Sequence, residues 1–150
     1  MDLRSDDIEA RRLLVSIHPR YGEKVRSGEK RAELRRVRPA VDRGDLIVFY
    51  ETSPTSAIVA HATICRVLAA SPRSLWPLVR DECCVSRECF VEYFQGRSIA
   101  YAIRFHAVAV LESPLELSRI RRVAPRFAPP QSYHYLRRDR DHDRRVAALL

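Results

Sequence analysis

Short apolar runs rich in β-branched residues recur along the chain, and proline or glycine interrupts them. The clearest runs are LLVSI at 13–17, LIVFY at 46–50, AIVAHATICRVL at 57–68 and the alternating segment 98–111. Runs of this length and composition favour strands, and the period of two in 98–111 is typical of a strand with one buried face. In that segment the pattern puts Ile99, Tyr101, Ile103 and Phe105 on one face. The chain is therefore predicted to be built mainly from strands.

Proline, glycine and serine mark the few helices. Pro19 is predicted to open a helix that Gly28 closes, because proline suits the first helical turn and glycine the left-handed cap. Gly22 inside it costs about 1 kcal/mol relative to alanine, which predicts either a very short helix or a close approach by another group. Ser71 and Ser86 are predicted N-caps of two further short helices. Residues 117–125 are predicted to form one or two helical turns.

This order of elements predicts an α+β fold. Five or six strands with few helices exclude a doubly wound sheet and favour a small, mostly antiparallel sheet or barrel with short helices flanking a cleft. Residues 1–12 are predicted to be a polar lead-in, residues 13–136 the domain, and residues 137–150 a charged tail with a frayed end.

Charge and cysteine content narrow the function. The formal net charge is +8, and only two of the 27 basic residues are lysine. A basic surface favours a polyanionic partner such as RNA or DNA, although an arginine excess also reflects a GC-rich genome. No apolar run is long enough to span a membrane, and the mixed N-terminus is not a signal peptide, so a cytoplasmic protein is expected. The four cysteines lack zinc-ribbon spacing; we expect free thiols packed as small apolar groups, with no metal or cofactor.

The stretch SGEKRAELRRVR at 27–38 is the candidate site. Period two places Ala32 and Leu34 on one face of a strand over 30–37, with Glu33 and Arg35 on the other. One interpretation is a solvated strand with an ion pair worth under about 1 kcal/mol. The other is a cleft wall in which Glu33 and Arg35 pair and Lys30 lies at the rim. Lys30 and Glu33, two groups that can exchange protons with a substrate, are then the candidate catalytic residues.

The wider stretch SIHPRYGEKVRSGEKRAELRR is similar to the signature of the ASCH domain, in which a helix leads into G-x-K-x-x-E-x-R. Gly28, Lys30, Glu33 and Arg35 stand in those four places. Further similarities follow in order: VFYETSPTSAIVAHATI, the pairs LW at 75–76 and YF at 93–94, AYAI at 100–103 and PPQSYHYL at 129–136. The resemblance implies a PUA-like β-barrel over about 13–136 with a cleft that handles RNA. Some members of the family deacetylate N4-acetylcytidine, and others cut single-stranded RNA.

The chain also departs from the deacetylating members, which use a lysine and a threonine in this segment. Lys30 falls on the lysine, but Glu33 stands at the threonine. The deacetylating members also use a further catalytic glutamate, for which this chain has no clear counterpart. Glu51 and Glu82 are the only guesses for that position.

We therefore expect binding of RNA or a nucleotide through a basic cleft. The expected ligand-binding residues are Arg20, Tyr21, Arg35, Tyr50 and Ser53. Two alternatives stay open: a metal-independent ribonuclease or amidohydrolase, and a regulatory domain whose cleft is vestigial and packed dry against the core. Trp76 could stack on a base, but the preferred interpretation is that it packs from its helix into the hydrophobic core.

Overall fold

The computed structural model describes residues 9–150, so the predictions for residues 1–8 of the lead-in lie outside the described residues. The strands are β1 (Arg12–Ile17), β2 (Ala32–Arg35), β3 (Leu46–Glu51), β4 (Ala57–Ala70), β5 (Ala100–Glu116) and β6 (Tyr133–Tyr135). The helices are α1 (Pro19–Ser27), α2 (Pro72–Val79), α3 (Arg87–Tyr93), α4 (Leu117–Val123) and α5 (Asp141–Ala147). The α+β class and the predicted five or six strands are confirmed, although no strand was predicted at the position of β6.

The six strands form one mixed sheet in the order β2-β5-β4-β3-β1-β6. Only β1 and β3 run parallel to each other; the other neighbours are antiparallel. The sheet curls into a half-barrel, so that its two edge strands approach each other. Nη1 of Arg35, on β2, donates to the backbone oxygen of Ser132, one residue before β6, at 3.3 Å.

Apolar side chains pack on both faces of this sheet. The α1 core, which includes Leu13, Val15 and Phe49, lies on one face. The C-terminal core contains Leu14, Val48 and Ile58 with residues of α4 and α5, and the insert core contains residues of α2 and α3. Burial on both faces explains why the runs at 13–17 and 46–50 are almost entirely apolar and do not alternate, since alternation is expected only where one face is solvated.

The predicted one-sided burial of β5 is wrong in its first half. Ala100 and Ala102 are fully buried in the insert core, on the face opposite Ile103 and Phe105. Ile99, assigned to the buried face, is 48% exposed. Helices α2 and α3 cover the second face, a packing that local alternation does not reveal.

The predicted helix boundaries are confirmed. Gly28 caps α1 with φ of 83°, and the Ser71 and Ser86 hydroxyls accept hydrogen bonds from the backbone N–H groups three residues on. The close approach predicted at Gly22 is also present. A Cβ at this position would lie 2.4 Å from the side chain of Glu51, at the end of β3.

The frayed end predicted for the tail is wrong. Residues 141–147 form α5, and Val146 is fully buried in the C-terminal core. Asp143, 2% exposed, contacts Nε2 of His134 and accepts a hydrogen bond from the N–H of Arg137, each at 3.0 Å. The alternating charges of residues 137–145 do not reveal that one face of helix α5 packs against the C-terminal core. The division at residues 12 and 136 stays a prediction.

Candidate functional site

A cavity of about 330 Å³ opens between α1, the end of β1, β2 and α3. Its lining residues are Ser16, Ile17, His18, Tyr21, Lys30, Glu33, Leu34, Arg35, Val85, Cys89 and Tyr93. The two ends of helix α1 help to position the residues that line this cavity. His18 is the N-cap of α1, its Nδ1 accepting the N–H of Arg20 at 3.1 Å, and Gly28 ends the same helix just before β2.

Three buried charges form a row along this cavity. Lys30 Nζ lies 3.7 Å from Glu33 Oε2, and Glu33 Oε1 lies 3.6 Å from Arg35 Nη2. The Glu33 side chain is 12% exposed, and the side chains of its two partners are buried still more deeply. Two cations and one carboxylate leave a net positive charge in a partly desolvated site, where electrostatic interactions are stronger than in water.

Lys30 was expected at the rim and is instead 3% exposed. Its ammonium donates to the backbone oxygen of Cys83 at 2.7 Å. The loop before α3 is held against this point, because the N–H of Arg31 donates to the backbone oxygen of Glu82 at 2.8 Å. The loop therefore closes over Lys30, which its position in the sequence does not show.

Three buried polar atoms of the cavity residues have no hydrogen-bond partner among residues 9–150. They are Glu33 Oε2, Arg35 Nε and Ser16 Oγ, out of five such atoms in the described part of the chain. Buried polar groups are nearly always paired, since an unpaired one costs about 1–3 kcal/mol. The cavity thus offers an acceptor, a donor and a hydroxyl that can do either.

Two tyrosines form the aromatic walls. Tyr21 comes from α1, and its ring centre is 5.3 Å from Lys30 Nζ. Tyr93 comes from α3, and its hydroxyl donates to the backbone oxygen of Leu34 at 3.2 Å. Burial raises the pKa of Tyr93, so this hydroxyl remains a donor at neutral pH.

The structure brings together Tyr21, Lys30, Glu33 and Arg35 of the predicted site residues. Arg20 lies beside the cavity, where its guanidinium stacks 4.8 Å from the ring centre of Tyr21. The face bearing Glu33 and Arg35 lines a cavity, so the dry packing that a vestigial cleft predicts is not found.

Tyr50 and Ser53 do not line this cavity. Tyr50 pairs with Ser16 in the sheet, but it is 2% exposed and packs in the C-terminal core. Ser53 is exposed in the turn after β3. Helices α4 and α5 cover the face on which Tyr50 lies, and only the folded chain shows this.

The two glutamates guessed as catalytic are engaged elsewhere. Glu51 pairs with Arg26 at 3.1 Å, and Glu82 pairs with Arg104 at 2.8 Å. Trp76 packs against Phe90 with ring centres 4.9 Å apart, which agrees with its preferred reading as a plug of the core.

Sequence reasoning missed several residues of the site. Ser16 is a polar residue inside an apolar run, and that contrast is a usable signal. Ser132, whose hydroxyl accepts from Arg35 Nη1 at 3.1 Å, lies within the PPQSYHYL segment, 97 positions away. Tyr93 enters the sequence analysis only as part of the YF pair at 93–94. The last two reach the site through tertiary packing alone.

The cysteines are free in the described residues, as expected. Cys83 is buried, and burial raises the pKa of its thiol. Cys89 is exposed and lines the cavity, so the expectation of buried packing is wrong for it. Within residues 9–150, no three His, Cys, Asp or Glu side chains are grouped as metal ligands. In the same range, no helix is both long enough and apolar enough to cross a bilayer.

The conserved-domain model of the ASCH domain matches residues 15–109. The chain belongs to the ASCH family. The resemblance read from residues 16–36 and the ordered motifs after them is thereby confirmed. The match contains the whole cavity lining of this ASCH protein.

Known proteins similar to this ASCH chain share its length and fold. An ASCH domain-containing ribonuclease of Zymomonas mobilis is 25% identical over 137 residues, which cover 90% of each chain. The crystal structure of ASCH from Zymomonas mobilis superposes with a TM-score of 0.83 at 24% identity, covering 92% of this chain and 94% of that one. A hypothetical protein from Leishmania major has a TM-score of 0.56 at 13% identity, with 94% of both chains covered. These structures show that the fold is shared.

Proposed function

We propose that this ASCH protein binds RNA and holds one unpaired nucleotide of it in the cavity. The observation that carries the proposal is the set of three unpartnered polar atoms on Ser16, Glu33 and Arg35 within one basic cavity. Single-stranded RNA is recognised when a base leaves the stack, lies against aromatic side chains and hydrogen-bonds through its edges. Tyr21 and Tyr93 supply the aromatic surface, and the unpartnered atoms supply a donor and acceptors for a base edge.

The choice of RNA as the partner rests on charge and family. The net charge of +8 favours a polyanion, and ASCH domains as a family are thought to handle RNA. The relative named as a ribonuclease, similar along nine-tenths of its length, supports the same class of ligand.

Fluorescence anisotropy with a labelled single-stranded RNA tests the proposal. Wild-type protein is expected to bind at low salt and to weaken as the salt concentration rises. Lys30→Met keeps the buried aliphatic stem but removes the charge, and we expect it to lower the affinity about tenfold or more. Arg119→Gln, an exposed change on α4 behind the C-terminal core, is the matched control for charge. Absence of binding by the wild-type protein at low salt would contradict the proposal.

Cleavage of RNA is the second candidate, favoured by the relative's name and by Lys30 and Glu33 lying 3.7 Å apart in the cavity. In metal-independent cleavage, a base takes the proton of a ribose 2′-hydroxyl, whose oxygen attacks the adjacent phosphorus. The 5′-oxygen then leaves with a proton from an acid. Glu33 has the acceptor for the first step and Lys30 the proton for the second.

Turnover assays separate this candidate from binding alone. The purified protein is incubated with single-stranded RNA, and in parallel with N4-acetylcytidine, with and without a chelator. Cleavage of RNA that survives the chelator and is lost in Glu33→Gln is the expected result for a ribonuclease. Turnover of N4-acetylcytidine instead would indicate an amidohydrolase, and turnover unchanged in Glu33→Gln would remove that residue from the mechanism.

A further inference from the structure

All three cation–π contacts among the described residues converge on the two tyrosines of the cavity. Arg20 and Lys30 contact the ring of Tyr21, and Arg36 contacts the ring of Tyr93 with its guanidinium carbon 4.4 Å from the ring centre. Lys30 is buried, whereas Arg20 and Arg36 are exposed. Each tyrosine wall therefore carries one exposed guanidinium group.

These two guanidinium groups are held in place and retain unused hydrogen-bond donors. Arg20 Nη2 donates to the hydroxyl of Tyr21 at 3.1 Å, and Arg36 Nε donates to the backbone oxygen of Tyr93 at 2.7 Å. Neither guanidinium lies within 4.0 Å of a carboxylate oxygen of residues 9–150. Because an arginine side chain has five N–H donors, each keeps enough of them to bind a phosphate in a bidentate manner.

The interior of the cavity is unsuited to a phosphate. Both of its cations are already engaged, Lys30 by the backbone oxygen of Cys83 and Arg35 by Ser132, and each also pairs with Glu33. The carboxylate oxygen that has no hydrogen-bond partner belongs to Glu33, and it can accept hydrogen bonds but repels a nearby anion. A neutral base edge with its own N–H groups suits this oxygen. The phosphates attached to that nucleotide would lie outside the cavity, beside Arg20 and Arg36, where their charge is stabilised.

We propose that Arg20 and Arg36 bind the two phosphates that flank the nucleotide in the cavity. The preferred ligand is therefore an internal nucleotide of a single strand and not a free nucleoside. This inference rests on the proposed function and assigns its phosphate contacts. The bound strand then passes between α1 and α3, with one phosphate beside each helix.

Salt titration of RNA binding counts these phosphate contacts. Binding of a labelled five-nucleotide single-stranded RNA is measured between 50 and 300 mM KCl for the wild type, Arg20→Gln, Arg36→Gln and the double variant. Each neutralised phosphate contributes about 0.7 to the slope of log K against log salt for a single strand. The slope should become shallower by about 0.7 in each single variant and by about 1.4 in the double variant.

Two sets of controls isolate the role of charge. Arg119→Gln combined with Arg122→Gln removes the same charge from exposed positions of α4 and should leave the slope as in the wild type. Arg20→Lys and Arg36→Lys keep the charge but lose the planar stack, so they should largely keep the slope. Thermal unfolding of every variant verifies the fold.

A second measurement tests the ligand directly. The 3′,5′-bisphosphates of the four ribonucleosides are compared with the nucleosides themselves by calorimetry. The best-bound bisphosphate should bind at least tenfold more tightly than its nucleoside, and the double variant should lose that gain.

The outcomes separate this inference from the proposed function. Wild-type protein that binds RNA with a slope unchanged in the double variant, or changed equally in the α4 control, overturns the inference alone. A nucleoside bound as tightly as its bisphosphate also overturns it alone. Wild-type protein that binds no RNA at 50 mM KCl overturns the proposed function and this inference together.

Discussion

Ser16 is a single polar residue within the apolar strand β1, and its buried hydroxyl has no hydrogen-bond partner among residues 9–150. An unpaired buried hydroxyl costs stability, and in the wall of a cavity it is available to bind a ligand. Its neighbours at the cavity, Glu33 and Arg35, carry the other unpartnered atoms. At the scale of single residues, the buried polar atoms without hydrogen-bond partners therefore identify the site better than its charges do.

Replacing Ser16 by alanine should separate stability from binding. The free energy of unfolding should stay the same or rise by up to about 1 kcal/mol, because an unpaired buried hydroxyl is removed. The affinity for single-stranded RNA should fall about three- to tenfold, the value of one hydrogen bond. Urea unfolding and anisotropy measure the two quantities, with the exposed Ser113→Ala as control. A loss of stability with unchanged affinity would contradict the assignment.

Gly22 is required by the side chain that packs on it. Helix propensity alone predicts that Gly22→Ala stabilises α1 by about 1 kcal/mol. The new Cβ would instead lie 2.4 Å from Glu51, which is 1% exposed and bound by Arg26 and Thr55. We expect a net destabilisation of roughly 1–3 kcal/mol, as for other overpacked sites. Urea unfolding measures this destabilisation. Glu23→Ala, on the exposed face of the same helix, is the control and should be nearly neutral. A Gly22→Ala protein that is more stable than the wild type would show that the Glu51 side chain moves aside freely.

At the scale of elements, α5 is attached by one buried carboxylate as well as by Val146. Burial by itself would raise the pKa of Asp143, but hydrogen bonds from His134 and from the N–H of Arg137 outweigh it and lower the pKa. A carboxylate whose pKa is lower in the folded state stabilises the fold at pH values above its unfolded pKa, here about 3.8. That contribution is lost as the pH falls through the lowered folded pKa.

Asp143→Asn should therefore destabilise the protein in a pH-dependent way. We expect the largest difference in free energy of unfolding from wild type above about pH 5, and a progressively smaller one below pH 4. Urea unfolding between pH 3 and pH 7 measures this difference. Asp81→Asn, at a side chain that is 87% exposed, is the control. A difference that stays constant across the range would show that Asp143 acts only through its shape.

At the scale of the whole molecule, Arg35 links the two edges of the curled sheet. It extends from β2 to both the backbone oxygen and the hydroxyl of Ser132 before β6, and it also pairs with Glu33. The same side chain thus closes the half-barrel and lines the cavity. The arrangement of the site and the curvature of the sheet therefore both depend on this one side chain.

Arg35→Met keeps much of the side-chain volume and removes this link. We expect it to destabilise the protein by roughly 3–5 kcal/mol, the usual effect of removing one partner of a buried charge pair. The neighbouring Arg36→Met, at an exposed position, should cost less than about 1 kcal/mol. Chemical unfolding of both variants makes the comparison. Equal effects would mean that the link between the sheet edges contributes little.

Local features of the fold could be predicted from neighbouring residues. The runs at 13–17, 46–50 and 57–68, the helix between Pro19 and Gly28 and the caps at Ser71 and Ser86 all depend on dihedral preferences and periodicity within a few positions. The ordered motifs around 27–38 likewise indicated the family. One-sided burial of β5 and the frayed tail were wrong, because helices distant in sequence cover those faces.

By itself, the sequence determined strands β1 to β5, helices α1 to α4, the basic charge and the row of Lys30, Glu33 and Arg35, because each depends on residues close together in the chain. The tertiary structure alone decided which of these groups share a cavity. The curl of the sheet brings Ser132 to Arg35, the loop before α3 buries Lys30, and the covering helices remove Tyr50 from the site. Such contacts join positions up to 97 residues apart. They depend on strand order and on which face each helix covers, and no short pattern encodes either.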